Sequence, residues 1–95
     1  MILITVIPAK FDLGDIVATA NAIARFPGET LEHCLNRHSQ GDWGKLDKED
    51  KDANERALTL GGRLMSSYPI PDQGKLWIIT EADRTVTTLL LPEDY

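Results

Sequence analysis

The sequence predicts a single α+β domain spanning residues 1–95: two to three helices packed on a small antiparallel sheet, with a C-terminal three-strand meander. Three observations lead there. A chain of 95 residues can enclose one hydrophobic core but not two. Its middle third repeats side chains at helical spacing, with Leu31, Cys34, Leu35 and His38 at i, i+3, i+4 and i+7. Its last third changes period, to the short runs "RLMSSY", "KLWIIT" and "TVTTLLL" parted by "PIPDQG" and "EADR".

The elements follow in order. "ILITVI" at residues 2–7 is β-branched and closed by Pro8, which favours a strand, here an N-terminal extension within residues 1–10. "DIVAT" at 15–19 is a second short β-like run, and Thr19 is placed to cap a brief helix through "ANAIARF". Pro27-Gly28 marks a turn. The next helix carries Glu29 and Glu32 in its first turn, Arg37 and His38 near its end and Gly41 just past it, which suits the helix dipole and a glycine cap. Asp47 then caps "KEDKDANERALTL", with Asp50 as its capping partner and Gly61-Gly62 closing the helix. The stripe expected to face inward there is Ala53, Ala57 and Leu60, extended by Leu46. In "KLWIIT", Leu76, Ile78 and Thr80 share one face and Trp77 and Ile79 the other. One face is expected to meet the helices, the other the N-terminal segment or a partner.

Composition narrows the function classes. A net charge of -5, from 15 acidic and 10 basic residues, opposes approach to a phosphate backbone, so direct nucleic-acid binding is not expected. Cys34 is the only cysteine, which excludes an intrachain disulfide and a multi-cysteine zinc site and fits a reducing, cytoplasmic setting. The opening "MILITVIPA" has no basic residue before it and is too short to span a bilayer, so neither a leader nor a membrane association is expected.

Each candidate for chemistry has a plainer reading. His38 and Asp42 could form an oriented imidazole, yet no nucleophile motif accompanies them. The plainer reading has His38 finishing a buried helix face and Asp42 turning the chain. His33 and His38 are five apart, the wrong spacing for two ligands on one helix side, and neither a metal nor a cofactor is expected. Cys34 sits in an apolar stripe as a small hydrophobe. "DKEDKDANE" lacks the glycine and terminal glutamate of a calcium loop, so it reads as a solvated helix face. Glu81, Asp83 and Arg84 read as a hairpin tip in which Arg84 pairs with a carboxylate. Trp43, between Gly41 and Gly44, reads as an anchor that pins the joint between two helices. Tyr95 is expected to dock its ring and tie down the C-terminus.

The phrases "RHSQGDWGKLDKEDKDANERAL", "GGRLMSSY" and "KLWIITEADRTVTTLLLPEDY" resemble a family of small proteins carried on bacterial plasmids and integrated mobile elements. There GDWG, an ED-containing helix, WIITEADR and a final LLPE-Tyr recur, and the likeness covers roughly residues 13–95. The resemblance implies context rather than mechanism, because no activity is established for that family. By analogy with other small acidic mobile-element proteins, it implies an anti-CRISPR or anti-restriction role.

Three functions remain as expectations. The first is a non-catalytic module that binds a protein partner, with Trp43, Tyr68, Trp77 and Arg84 as interaction candidates. The second is a small nuclease or toxin-like hydrolase in which His38 is the acid-base group, oriented by Asp42, and Arg63 and Arg84 hold phosphate. The third is a homo-oligomer in which "ILITVI" adds a strand to a second copy.

Overall fold

The structure is a computed structural model describing residues 9–95; the "ILITVI" strand expected at residues 2–7 lies outside the described residues. β1 (Asp15–Ala18) leads into α1 (Ala20–Arg25), α2 (Gly28–Ser39) and α3 (Lys48–Leu60). β2 (Leu64–Ile70), β3 (Gly74–Thr80) and β4 (Val86–Leu90) follow, then a 3-10 turn (Pro92–Asp94). The α+β class and the meander are as the sequence predicts, with β2, β3 and β4 pairing antiparallel in succession. β1 joins the sheet parallel to β4, giving the order β1-β4-β3-β2. The sheet is therefore mixed, and everything between β1 and β4 serves as the crossover that a parallel pair requires.

Strand alternation sorts the side chains. Tyr68 and Leu76, Ser66 and Ile78, and Leu64 and Thr80 lie opposite one another in register, and all six are fully buried on the face that carries the helices. Leu89 and Leu91 join them there, with Ala22 from α1, Phe26 just past its end and Cys34 from α2. Met65, Ser67 and Pro69 of β2 and Lys75, Trp77 and Ile79 of β3 point to the opposite face.

The helix ends carry the expected caps. Thr19 Oγ1 accepts from the Ala22 N–H at 3.1 Å, and Asp47 Oδ1 accepts from the Asp50 N–H at 2.8 Å. At the end of α2, Gly41 takes φ +78°, its N–H donates to the His38 carbonyl and the Asp42 N–H to that of Arg37. That pair of bonds satisfies two terminal carbonyls with glycine in the left-handed region.

The inward stripe of α3 differs from expectation. Ala57 is buried, but Ala53 is exposed and Leu60 is 80 % exposed; Asn54 is buried instead and Leu58 packs beside the core. The reason lies in where the helix runs, beside the outer edge of β2. Asn54 Nδ2 donates to the Met65 carbonyl at 2.7 Å and Asn54 Oδ1 accepts from the Met65 N–H at 3.1 Å, so the amide acts as a one-residue strand. At the next outward-facing residue, the Ser67 N–H donates to the Trp43 carbonyl and the Ser67 carbonyl accepts from the Lys45 N–H. The β2 edge is thereby closed by a side chain and a loop. Asn54→Ala leaves both backbone groups of Met65 without partners and is expected to lower stability by about 2 kcal/mol, read from the urea midpoint. An unchanged midpoint would show that water replaces the amide at no cost.

Candidate functional site

The joint between α2 and α3 is where the sequence concentrates its unusual residues, and the structure assigns each a place. Arg37 Nε meets Asp42 Oδ2 at 2.7 Å, and that hydrogen bond holds the Asp42 carboxyl below the usual carboxylate range. Asp42 also accepts from the Gly44 N–H at 3.2 Å, while the Tyr68 hydroxyl donates to the Asp42 carbonyl at 2.5 Å. Arg37 lies over the Tyr68 ring at 4.7 Å, and burial pushes the Tyr68 phenol up. Trp43 faces inward, 5 % exposed. Its ring meets those of His38 and Phe11 at 5.7 and 6.1 Å, and its indole N–H donates to Glu55 at 2.8 Å.

His38 belongs to a buried relay of hydroxyls. Thr87 Oγ1 donates to the Leu13 carbonyl at 2.7 Å, so in its 2.8 Å contact with Thr80 it must accept. Thr80 gives its one hydrogen to Thr87, and its oxygen accepts from His38 Nε2–H at 2.9 Å. His38 Nδ1 is then the acceptor for the Ser66 hydroxyl at 2.5 Å. One-hydrogen bookkeeping places a proton on Nε2, and burial, which disfavours the charged ring, leaves Nδ1 as the acceptor. The ring is fully buried, and burial lowers its pKa from 6.5 to about 4. Both ring nitrogens are occupied.

Arg84 differs from expectation in its partners. Its guanidinium donates to carbonyls rather than to a carboxylate: Gly62 at 2.6 Å, Ala57 at 3.0 Å, Glu81 at 3.1 Å and Ala82 at 3.3 Å. It closes the C-terminal end of α3 and ties the β3–β4 hairpin to it, at a residue whose φ is +62°. Asp83 fills the turn role expected of it by accepting from Thr85. Arg63 is elsewhere, on the opposite face of the sheet from His38, with its Nη1 donating to the Tyr95 hydroxyl at 2.6 Å. The structure therefore does not gather His38, Asp42, Arg63 and Arg84 into one cleft.

Of the four interaction candidates, Trp43 and Tyr68 are buried and Arg84 is tied to carbonyls, which leaves Trp77. It is half-buried on the face away from α1 and α2. Its ring meets that of Tyr95 edge-on at 6.1 Å, and the Arg63 guanidinium lies 5.4 Å from the Tyr95 ring centre. Tyr95 docks as expected but stays 68 % exposed. Two depressions flank this face and share Leu46. One, of 380 Å³, runs from Lys45 and Asp47 past Ser67 and Pro69 to Lys75; the other, of 250 Å³, is lined by Asp50, Asn54, Arg63 and Met65. Among the described residues, the ion pairs are Arg25–Glu93, Arg37–Asp42 and Lys48–Asp52, so Lys45, Lys75 and Arg63 are not neutralised within the chain. Sequence reasoning missed Lys45, Lys75 and Leu46 as surface residues of one patch. The period-two alternation of β3 already put Lys75 on the Trp77 face, but nothing local placed the Lys45–Leu46 loop beside it.

Cys34 is buried, and burial raises its thiol pKa, as suits a small core hydrophobe. Among the described residues, no group of three or more His, Cys, Asp or Glu is placed to hold a metal ion, and no helix is long and apolar enough to cross a membrane. The chain matches no family model, and neither a curated protein nor a solved structure is significantly similar to it.

Proposed function

We propose that this chain works by binding another protein through the Trp77 face, and that the partner is a bacterial host-defence factor. One observation carries the first part: Trp77, Tyr95 and Arg63 form a mutually supported cluster on the sheet face away from α1 and α2, with Tyr95 and Arg63 exposed. Trp, Tyr and Arg dominate the energetics of known interfaces, and rings held by neighbours lose little entropy on binding. Lys45, Lys75 and Arg63 alternate with Asp47 and Asp50 around Leu46, which favours a partner surface of mixed charge. The second part rests on the resemblance to mobile-element proteins and on the absence of a familiar catalytic motif from the sequence.

Tyr95→Ala and Arg63→Glu alter exposed side chains and are expected to leave the melting temperature within about 3 °C while weakening partner binding at least about 30-fold. The measurement is stoichiometric capture from host lysate followed by titration with the recovered protein. Leu60→Ser, at an exposed residue outside the patch, serves as the control. Equal capture by the wild type and both patch variants would remove the Trp77 face from consideration. The defence assignment is tested separately, by plating a restricted or CRISPR-targeted phage on cells that express the chain; unchanged plating across such systems would end it and leave the binding reading intact.

A further inference from the structure

We infer that the outer edge of β1 is a self-association site, where two copies of the chain pair antiparallel about Val17. The two edges of the sheet are treated differently. At β2, every outward backbone group of Met65 and Ser67 has a partner within the chain. At β1, the Asp15 N–H donates to Thr85 and the Thr19 N–H to Leu89, so residues 15, 17 and 19 turn toward β4. The N–H and C=O groups of Ile16 and Ala18 therefore point away from the sheet. Among the described residues, no strand or side chain covers them. The side chains are apolar and open on both faces, with Ile16 51 % and Val17 46 % exposed, and Ile23 on the helix leaving this strand is 60 % exposed.

Unpaired strand groups are matched by another strand, and the register here favours a second copy. Antiparallel pairing with Val17 on the two-fold axis makes Ile16 and Ala18 of one copy a hydrogen-bonded pair with Ala18 and Ile16 of the other. All four outward groups on each strand are then used, giving four hydrogen bonds. Val17 meets its own counterpart, and each Ile16 packs beside the small Ala18. Asp15, the one charged residue of the strand, falls opposite the uncharged Thr19, and the two Asp15 carboxylates stand about 14 Å apart, beyond the screening length at physiological salt. Moving the axis to Ile16 would halve that separation and leave Ala18 opposite Gly14, and moving it to Ala18 would set Ile16 against Ala20 of α1, which is no longer strand, so the Val17 register is favoured. The surface is distinct from the Trp77 patch and does not depend on it.

An interface built on four-residue strands is small, so the dimer should appear at about 0.5 mM and be absent at about 10 µM. Sedimentation equilibrium across that range is expected to show it for the wild type and to show monomer throughout for Val17→Lys, which sets two ammonium groups face to face on the axis. Wild-type chain that stays monomeric at the upper concentration, or Val17→Lys that still dimerises, overturns the proposal. Register is read from disulfide capture under mild oxidation. Val17→Cys places two thiols in a non-hydrogen-bonded pair with Cα atoms about 4.5 Å apart, within disulfide reach, whereas Ile16→Cys faces Ala18 and is expected to cross-link at least about tenfold more slowly. Equal rates would mean random collision and would also overturn it. Both positions are exposed, so melting curves of the variants should overlay that of the wild type.

Discussion

Gly44→Ala is expected to lower the stability of the fold by about 4 kcal/mol, enough to shift the melting temperature by roughly 20 °C in a domain of this size. Gly44 lies across from Ser67 as an isolated bridge on the β2 edge, with φ +73°. A Cβ there would strike the Ser67 carbonyl oxygen, the atom that accepts from the Lys45 N–H, and would stand 2.7 Å from Cδ1 of the Tyr68 ring. Neither obstacle can give way. The oxygen is backbone within the sheet, and Tyr68 is fully buried with its hydroxyl fixed to Asp42. The joint would have to lift, breaking both bonds to Ser67 and drawing Trp43 from its site. Gly41→Ala is the internal control: its φ is also positive, at +78°, but its new Cβ would meet nothing nearer than the Lys10 side chain at 3.5 Å. That variant should lose only the left-handed backbone preference, about 1 kcal/mol. Equal losses for the two variants in urea titrations would show that backbone strain alone, and not the close approach to Ser67, makes glycine necessary at 44.

The second large effect is acid destabilisation through His38. Its pKa is depressed from 6.5 to about 4 by burial. Between those two values the unfolded chain binds a proton that the folded chain refuses. Stability is therefore complete above pH 6.5, declines as pH falls toward 4, and levels off below that as far as this group is concerned. The loss across the window is about 3 kcal/mol, or about 15 °C in melting temperature. His38→Gln should be less stable at pH 7, because it disturbs the hydroxyl relay, but its stability should be flat between pH 6.5 and 4.5. A wild-type profile as flat as that of the variant would contradict the burial argument. The Asp42 and Asp94 carboxyls, both held below their ordinary range by hydrogen bonds from Arg37 and from Asn21 and Thr19, add their losses only at still lower pH.

Local chemistry was enough to place most of the secondary structure. The α2 boundaries follow from Pro27, the acidic first turn and the glycine at 41, and the meander follows from three β-rich runs parted by turn residues. Trp43 was readable as an anchor between glycines at 41 and 44, but the sequence offered it equally as an interaction residue, and only the fold, which leaves it 5 % exposed, settles its direction. What the sequence could not show depended on distant partners. His38 was readable as part of a buried face, but its hydroxyls come from Ser66 and Thr80, 28 and 42 residues further on. Asn54 sits one position from the expected stripe residue Ala53, and its inward turn is justified only by the β2 edge it serves. Arg84 looks like any hairpin-tip arginine until the end of α3 is brought beneath it. The Trp77 patch was half legible: alternation put Trp77 and Lys75 on one face, but Lys45 and Leu46 come from a loop that only the fold brings alongside.

The seam between the two ends of the chain governs the order in which the protein can assemble. Among the described residues, β1 pairs with β4 alone, Thr87 reaches back to the Leu13 carbonyl, and Asp94 accepts from both Thr19 and Asn21 across more than 70 residues. During synthesis, β1 and α1 emerge well before β4 and Asp94, the partners they wait for. The Thr19 cap, already able to hold the Ala22 N–H, gains its carboxylate acceptor only when Asp94 has emerged. Contacts this far apart in sequence are slow to close, and until they do, the apolar side chains of the first strand and helix stand open to other chains. The time before that seam closes is when a nascent copy is most exposed to mispairing.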